Sequence, residues 1–75
     1  MKRKDLNILV LKSLGLKKNK KIENLTWDSL GHLTILLELE KKNPNKITSI
    51  KQISEATTYK KLYKVLKSKK LVFDD

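Results

Sequence analysis

Hydrophobic positions fall into stripes of helical period separated by polar stretches. Leu6, Leu9, Val10 and Leu14 recur near that spacing, with Ile8 and Leu11 widening the stripe, so the pattern predicts a first helix over residues 3–14. Gly15 is its natural stop, because a residue without Cβ readily takes the left-handed conformation that closes a helix. LKKNKKIENLTW, residues 16–27, then reads as a long polar connection in which Ile22 and Leu25 are the expected anchors to a core. From Ser29 to Lys42 the positions Leu30, Leu33, Ile35, Leu36, Leu37 and Leu39 predict a second helix. Asp28 stands where it can accept an unpaired first-turn amide. Lys41 and Lys42 suit the negative dipole end, and Asn43 and Pro44 terminate the helix.

Beyond Pro44 the pattern predicts a turn or two of helix over 49–56 carrying Ile50 and Ile53, with Ile47 able to exchange roles with Ile50. A last helix starts at Tyr59, where Tyr59, Leu62, Tyr63 and Leu66 follow the i, i+3, i+4, i+7 rule, and Thr58 is its expected cap. Lys60, Lys61, Lys64 and Lys67 occupy the rest of that helix. The tail over 68–75 has no periodicity, and Val72 and Phe73 are expected to fold back on the core. Three longer helices and a short third one make an all-α four-helix bundle with its long loop between the first two helices.

Length and composition narrow the function. Seventy-five residues make one domain, and so short a chain buries only about 60% of the surface its unfolded form exposes, which argues against a deep enzyme pocket. Without cysteine there is no disulfide, thiolate nucleophile or zinc-thiolate site. No apolar run approaches the roughly 20 residues of a membrane span, and the lysine-rich start is followed by a segment too broken for a secretory signal, so a cytoplasmic protein is expected. The formal charge of +10 favours an anionic partner. A small basic nucleic-acid-binding protein is therefore the alternative reading. Its lysines, however, are spread over all the helices and the first loop, with no aromatic or glycine pattern for stacking on bases. A membrane-surface role for the first helix would take away the apolar side that the core needs.

The chemistry-bearing stretch is WDSLGH, residues 27–32. A catalytic triad of Ser29, His32 and Asp28 is unattractive, because all three sit on one helical turn with no second element to form an oxyanion hole. Simple capping by Asp28 and Ser29, with Trp27 stapling the start of the helix against His32, is the plainer reading. It leaves one thing unexplained. Leu30, Leu33 and Leu37 share a face distinct from that of Ile35, Leu36 and Leu39, so one apolar stripe is left for something outside the core.

WDSLGHLTILLELE resembles the segment of acyl and peptidyl carrier proteins that receives 4′-phosphopantetheine, and ITSIKQISEATTYKKL resembles the same family's short third helix, Thr-Thr-aromatic junction and fourth helix. The resemblance runs over residues 3–67 and looks most like free-standing carriers of specialised pathways. It implies a carrier-protein-like four-helix bundle, a monomer, and no catalysis by the chain itself. Ser29 would be esterified by the phosphate of phosphopantetheine, taken from coenzyme A by a phosphopantetheinyl transferase with magnesium, and Asp28 would help to hold that metal. Leu30, Leu33 and Leu37 would be the partner-docking stripe, with Trp27 and His32 beside it, His32 either bordering the arm or packing against Trp27. Ile35, Leu36, Leu39, Ile53, Leu62 and Leu66 would face inward. The other implied partners are an acyl- or aminoacyl-loading enzyme and an acyltransferase or synthase, in fatty-acid-like, polyketide, nonribosomal-peptide or surface-polysaccharide synthesis; neither nucleic acid nor membrane is among them. The chain departs from the family in charge. Positions that are often acidic are Gly31 and Thr34 here, and only Glu38 and Glu40 remain on the second helix, so partners with positive docking patches would bind it poorly.

Overall fold

A computed structural model describes residues 1–17 and 21–74; part of the lysine-rich connection, 18–20, and Asp75 of the tail lie outside the described residues. Helix α1 runs Arg3–Leu14 and buries Leu6, Leu9, Val10 and Leu11. Its start is held by Asp5, whose carboxylate accepts from the Lys2 N–H at 3.4 Å and places negative charge at the positive dipole end. Its end is a Schellman closure. Gly15, at φ 68°, turns the chain so that Leu16 N–H reaches Leu11 O at 2.8 Å and Gly15 N–H reaches Lys12 O at 3.2 Å.

The connection is more ordered than its polarity suggests. Ile22–Asn24 form one 3₁₀ turn that buries Ile22, and Leu25 is half-buried, so both anchors reach the core. Thr26 and Thr58 then form an isolated antiparallel bridge, flanked by Trp27 N–H to Thr57 O at 3.2 Å and Tyr59 N–H to Leu25 O at 3.0 Å. The chain entering helix α2 is thereby tied to the junction between α3 and α4.

Helix α2, Ser29–Lys42, packs along α1 and buries His32, Ile35 and Leu39, with Leu36 partly covered. Helix α3 is a short piece, Lys51–Glu55, tighter than the expected 49–56, and it directs Ile53 inward. Ile47 takes the core position beside it while Ile50 is only half-buried, so the exchange of roles does occur. Helix α4, Tyr59–Ser68, begins with Thr58 accepting from Lys61 N–H at 3.2 Å and buries Tyr59, Leu62 and Leu66. The four helices enclose one core; the radius of gyration of 11.1 Å is that of a compact chain of this length, about 11 Å. No helix among the described residues is long and apolar enough to cross a membrane.

The tail corrects one expectation. Val72 is buried, but the Phe73 side chain remains exposed. The backbone here pairs with the N-terminal segment through Arg3 N–H to Phe73 O at 3.0 Å and Phe73 N–H to Met1 O at 3.1 Å. In such extended pairing successive side chains point to opposite sides, so burying Val72 turns Phe73 outward.

Candidate functional site

The first turn of α2 gathers the residues of WDSLGH. Asp28, with extended backbone, accepts the Gly31 N–H on Oδ1 at 2.9 Å, and its carbonyl takes the His32 N–H at 2.9 Å. Ser29 is the first helical residue and is exposed, and the Ser29 and Leu30 amides take no partner among the described residues. An exposed hydroxyl beside unclaimed N–H groups at the positive end of a 14-residue helix suits a phosphate ester, because donors and dipole both favour negative charge there. Asp28 Oδ2 is not used by the cap, which leaves an acceptor next to Ser29.

Gly31 is explained by packing. A Cβ there would lie 2.8 Å from Leu14 Cδ2, 3.3 Å from Trp27 Cβ and 3.4 Å from Asp28 Oδ1, so the close fit of α1 and Trp27 to the start of α2 is made at a position without a side chain. An acidic residue at this point would press into that fit.

Of the two places expected for His32, packing against Trp27 is the one found, and with only 5% of it exposed it does not belong to the docking stripe. Its Nδ1 lies 2.9 Å from Trp27 Nε1 and its Nε2 2.9 Å from Ile53 O. Indole N–H can only donate and a carbonyl can only accept, so the neutral ring carries its proton on Nε2 and accepts at Nδ1. Both nitrogens are thus committed: Nδ1 fixes Trp27 at the entry to α2, and Nε2 joins α2 to α3. Neither reaches Ser29, and a Ser29–His32 nucleophile pair is not assembled. Trp27 stands where a staple residue would, one before the cap, and the contact is made by a hydrogen bond to His32 as well as by packing.

The second apolar stripe lies in solvent. Leu30 is 74% exposed, Leu33 55% and Leu37 58%, and they run from the Ser29 turn along the outer side of α2. Both glutamates of this helix are engaged close by, Glu38 with Lys41 at 3.3 Å and Glu40 with the Asn45 N–H at 2.8 Å. Lys41 and Lys42, in the last turn of the same helix, are exposed. The field around the stripe is consequently not acidic.

A separate polar cluster joins α1, α4 and the tail. Tyr59 donates to the Asn7 side chain and accepts from Arg3 Nε at 3.3 Å; burial pushes its phenol up, while that contact raises the Arg3 guanidinium further. Arg3 also lies over the Tyr63 ring, 4.6 Å from its centre. Lys67 donates to Asp74 at 2.9 Å and Tyr63 donates to the same carboxylate, which holds Asp74 below the usual carboxylate range and raises Lys67. These contacts pin the tail, and sequence periodicity gave no sign of them.

Among the described residues no group of three or more His, Asp or Glu is placed to hold a metal ion. No family model matches this chain, and neither the curated proteins nor the solved structures contain a significant match to it.

Proposed function

We propose that this chain is an acyl or peptidyl carrier that bears 4′-phosphopantetheine on Ser29. The observation that carries the reading is a single helix face: an exposed serine at the first position of a capped helix, followed along that helix by three exposed leucines that the core does not use. Capping alone accounts for Asp28 and leaves the leucines unexplained.

In the proposed attachment the Ser29 Oγ attacks the phosphorus that bears the pantetheine half of coenzyme A. A phosphoester bond forms, the bond to the nucleotide half breaks, and the serine proton passes to a base on the transferase. Magnesium, brought together with coenzyme A and the transferase, would offset the charge of the pyrophosphate, and Asp28 Oδ2 is the carboxylate oxygen available beside it. The Ser29 and Leu30 amides are the groups that would hold the phosphate of the arm once attached. The arm supplies the thiol that holds the cargo as a thioester, and the tether raises the cargo's effective concentration at a docked enzyme.

Docking is assigned to Leu30, Leu33 and Leu37, with Trp27 contributing what it leaves exposed. Glu38 and Glu40 are held within the chain, so apolar contact dominates and the surrounding lysines favour enzymes whose docking surfaces are neutral or acidic. Such partners comprise a phosphopantetheinyl transferase, a loading enzyme for an acyl or aminoacyl group, and an acyltransferase or synthase.

The test is the intact mass of the protein after incubation with coenzyme A, magnesium and a broad-specificity phosphopantetheinyl transferase, beside Ser29→Ala. One phosphopantetheine on the wild type and none on the variant is the expected result. A folded wild type that stays unmodified with several transferases would reduce Asp28 and Ser29 to a helix cap.

A further inference from the structure

We infer that the group carried on Ser29 is short or polar and rides outside the helical core, because buried His32 closes the seam between α2 and α3 behind the attachment point. The inference rests on the carrier reading and deepens it to a class of cargo. Behind the Ser29 turn the interior is already filled: Ile35, Leu39, Ile53, Leu62 and Leu66 are each 0% exposed. Interiors packed in this way have no room for added methylenes unless side chains and backbone move.

The seam itself is locked by polar contacts. His32 donates from Nε2 to Ile53 O and accepts Trp27 Nε1–H on Nδ1, each at 2.9 Å, while the Trp27 backbone N–H is held by Thr57 O at 3.2 Å. Parting α2 from α3 would strand the His32 Nε2–H and the Ile53 carbonyl in buried surroundings, where each carries the full cost of an unmade hydrogen bond. An acyl group gains only in proportion to the apolar surface it buries. An acetyl, hydroxyacyl or aminoacyl group has too little to offset that loss, so it remains on the arm in solvent, open to the docked enzyme. A long alkyl chain would have to break the lock and expand the core as well. The cleft of about 240 Å³ between α1 and α2, lined by Asp5, Ile8, Leu9, Lys12, Glu38 and Lys42, is rimmed by charge, and a larger one of about 530 Å³ is lined by Arg3, Lys4, Asn7, Glu23 and Asp74; neither offers an apolar site in place of the seam.

The experiment uses the full chain, loaded by a phosphopantetheinyl transferase from acetyl- or octanoyl-coenzyme A and verified by intact mass. Cleavage of each thioester by hydroxylamine is compared with that of the same acyl group on free pantetheine, and backbone amide spectra are recorded for both loaded forms. The expected result is cleavage of both within about twofold of the free thioesters, with spectral changes confined to the neighbourhood of Ser29. Octanoyl cleavage slowed about tenfold or more relative to acetyl, with shifts at Ile35, Leu39, Ile53 and Leu62, would overturn the inference while leaving the carrier reading standing. A chain that takes no phosphopantetheine overturns both. In His32→Leu, checked by circular dichroism to be folded, octanoyl is expected to become about fivefold better protected than in the wild type. Equal cleavage in the two folded proteins would remove His32 from the explanation.

Discussion

Helix α2 has two apolar faces of similar composition and opposite fates. Ile35 and Leu39 lie with His32 in the core and are inaccessible to solvent, whereas Leu30, Leu33 and Leu37 point into water from the same helix. A helix that serves only to cover a core needs one stripe about 100° wide. The inner face meets that need, so folding accounts for it completely and leaves the outer one over. Hydrophobicity marks contact, and contact with the rest of the chain is only one kind.

Substitutions on the two faces should separate stability from function. The largest effect is expected from Ile35→Ala or Leu39→Ala, each opening a cavity in a fully packed site at a cost of about 3 kcal/mol, read as a fall in the urea midpoint with an unchanged slope. If either proved neutral, the inner face would not be the core. Trp27→Phe keeps an aromatic ring but leaves His32 Nδ1 without its donor, and should cost about 1.5 kcal/mol in the same measurement.

On the outer face, Leu30→Ala or Leu33→Ala should reduce the kcat/KM of phosphopantetheine transfer about tenfold, equivalent to about 1.4 kcal/mol, while the urea midpoint moves by less than about 0.5 kcal/mol. Loss of stability in place of transfer would make the outer leucines part of the fold and erase the comparison.

The smallest effect belongs to an exposed contact away from α2. Lys67 and Tyr63 hold the Asp74 carboxyl below its ordinary range, so the folded pKa is lower than the unfolded one. That stabilisation is complete above the unfolded value and disappears as pH falls below about 4 through the folded value. Asp74→Asn should therefore lower stability slightly at neutral pH, converge with the wild type once the pH is below the folded value, and so flatten the acid side of a stability–pH profile. An equal loss at both ends would contradict the assignment to this carboxylate.

Local signals were readable wherever the cause of structure is itself local. The limits of α1 and α2 follow from Gly15, Asp28 and the Asn43–Pro44 pair, and α4 starts where Thr58 can cap it, because a backbone stop or a side-chain oxygen acts within three or four residues. The division of α2 into two stripes is likewise a matter of 100° per residue. Ser29 stands out for the same reason, as the hydroxyl at a helix start that a carboxylate caps.

Tertiary structure decided what depends on distant partners. His32 carries no mark in the sequence to say whether it borders solvent or lies inside; the carbonyl of Ile53, twenty-one residues away, turns it inward. The same applies to the Thr26–Thr58 bridge, to Ile47 rather than Ile50 in the core, and to Val72 turning inward while Phe73 turns out. Periodicity specifies which side of an element is apolar, but the choice among apolar positions, and the pairing of buried polar atoms, is made only when separate elements come within hydrogen-bonding distance.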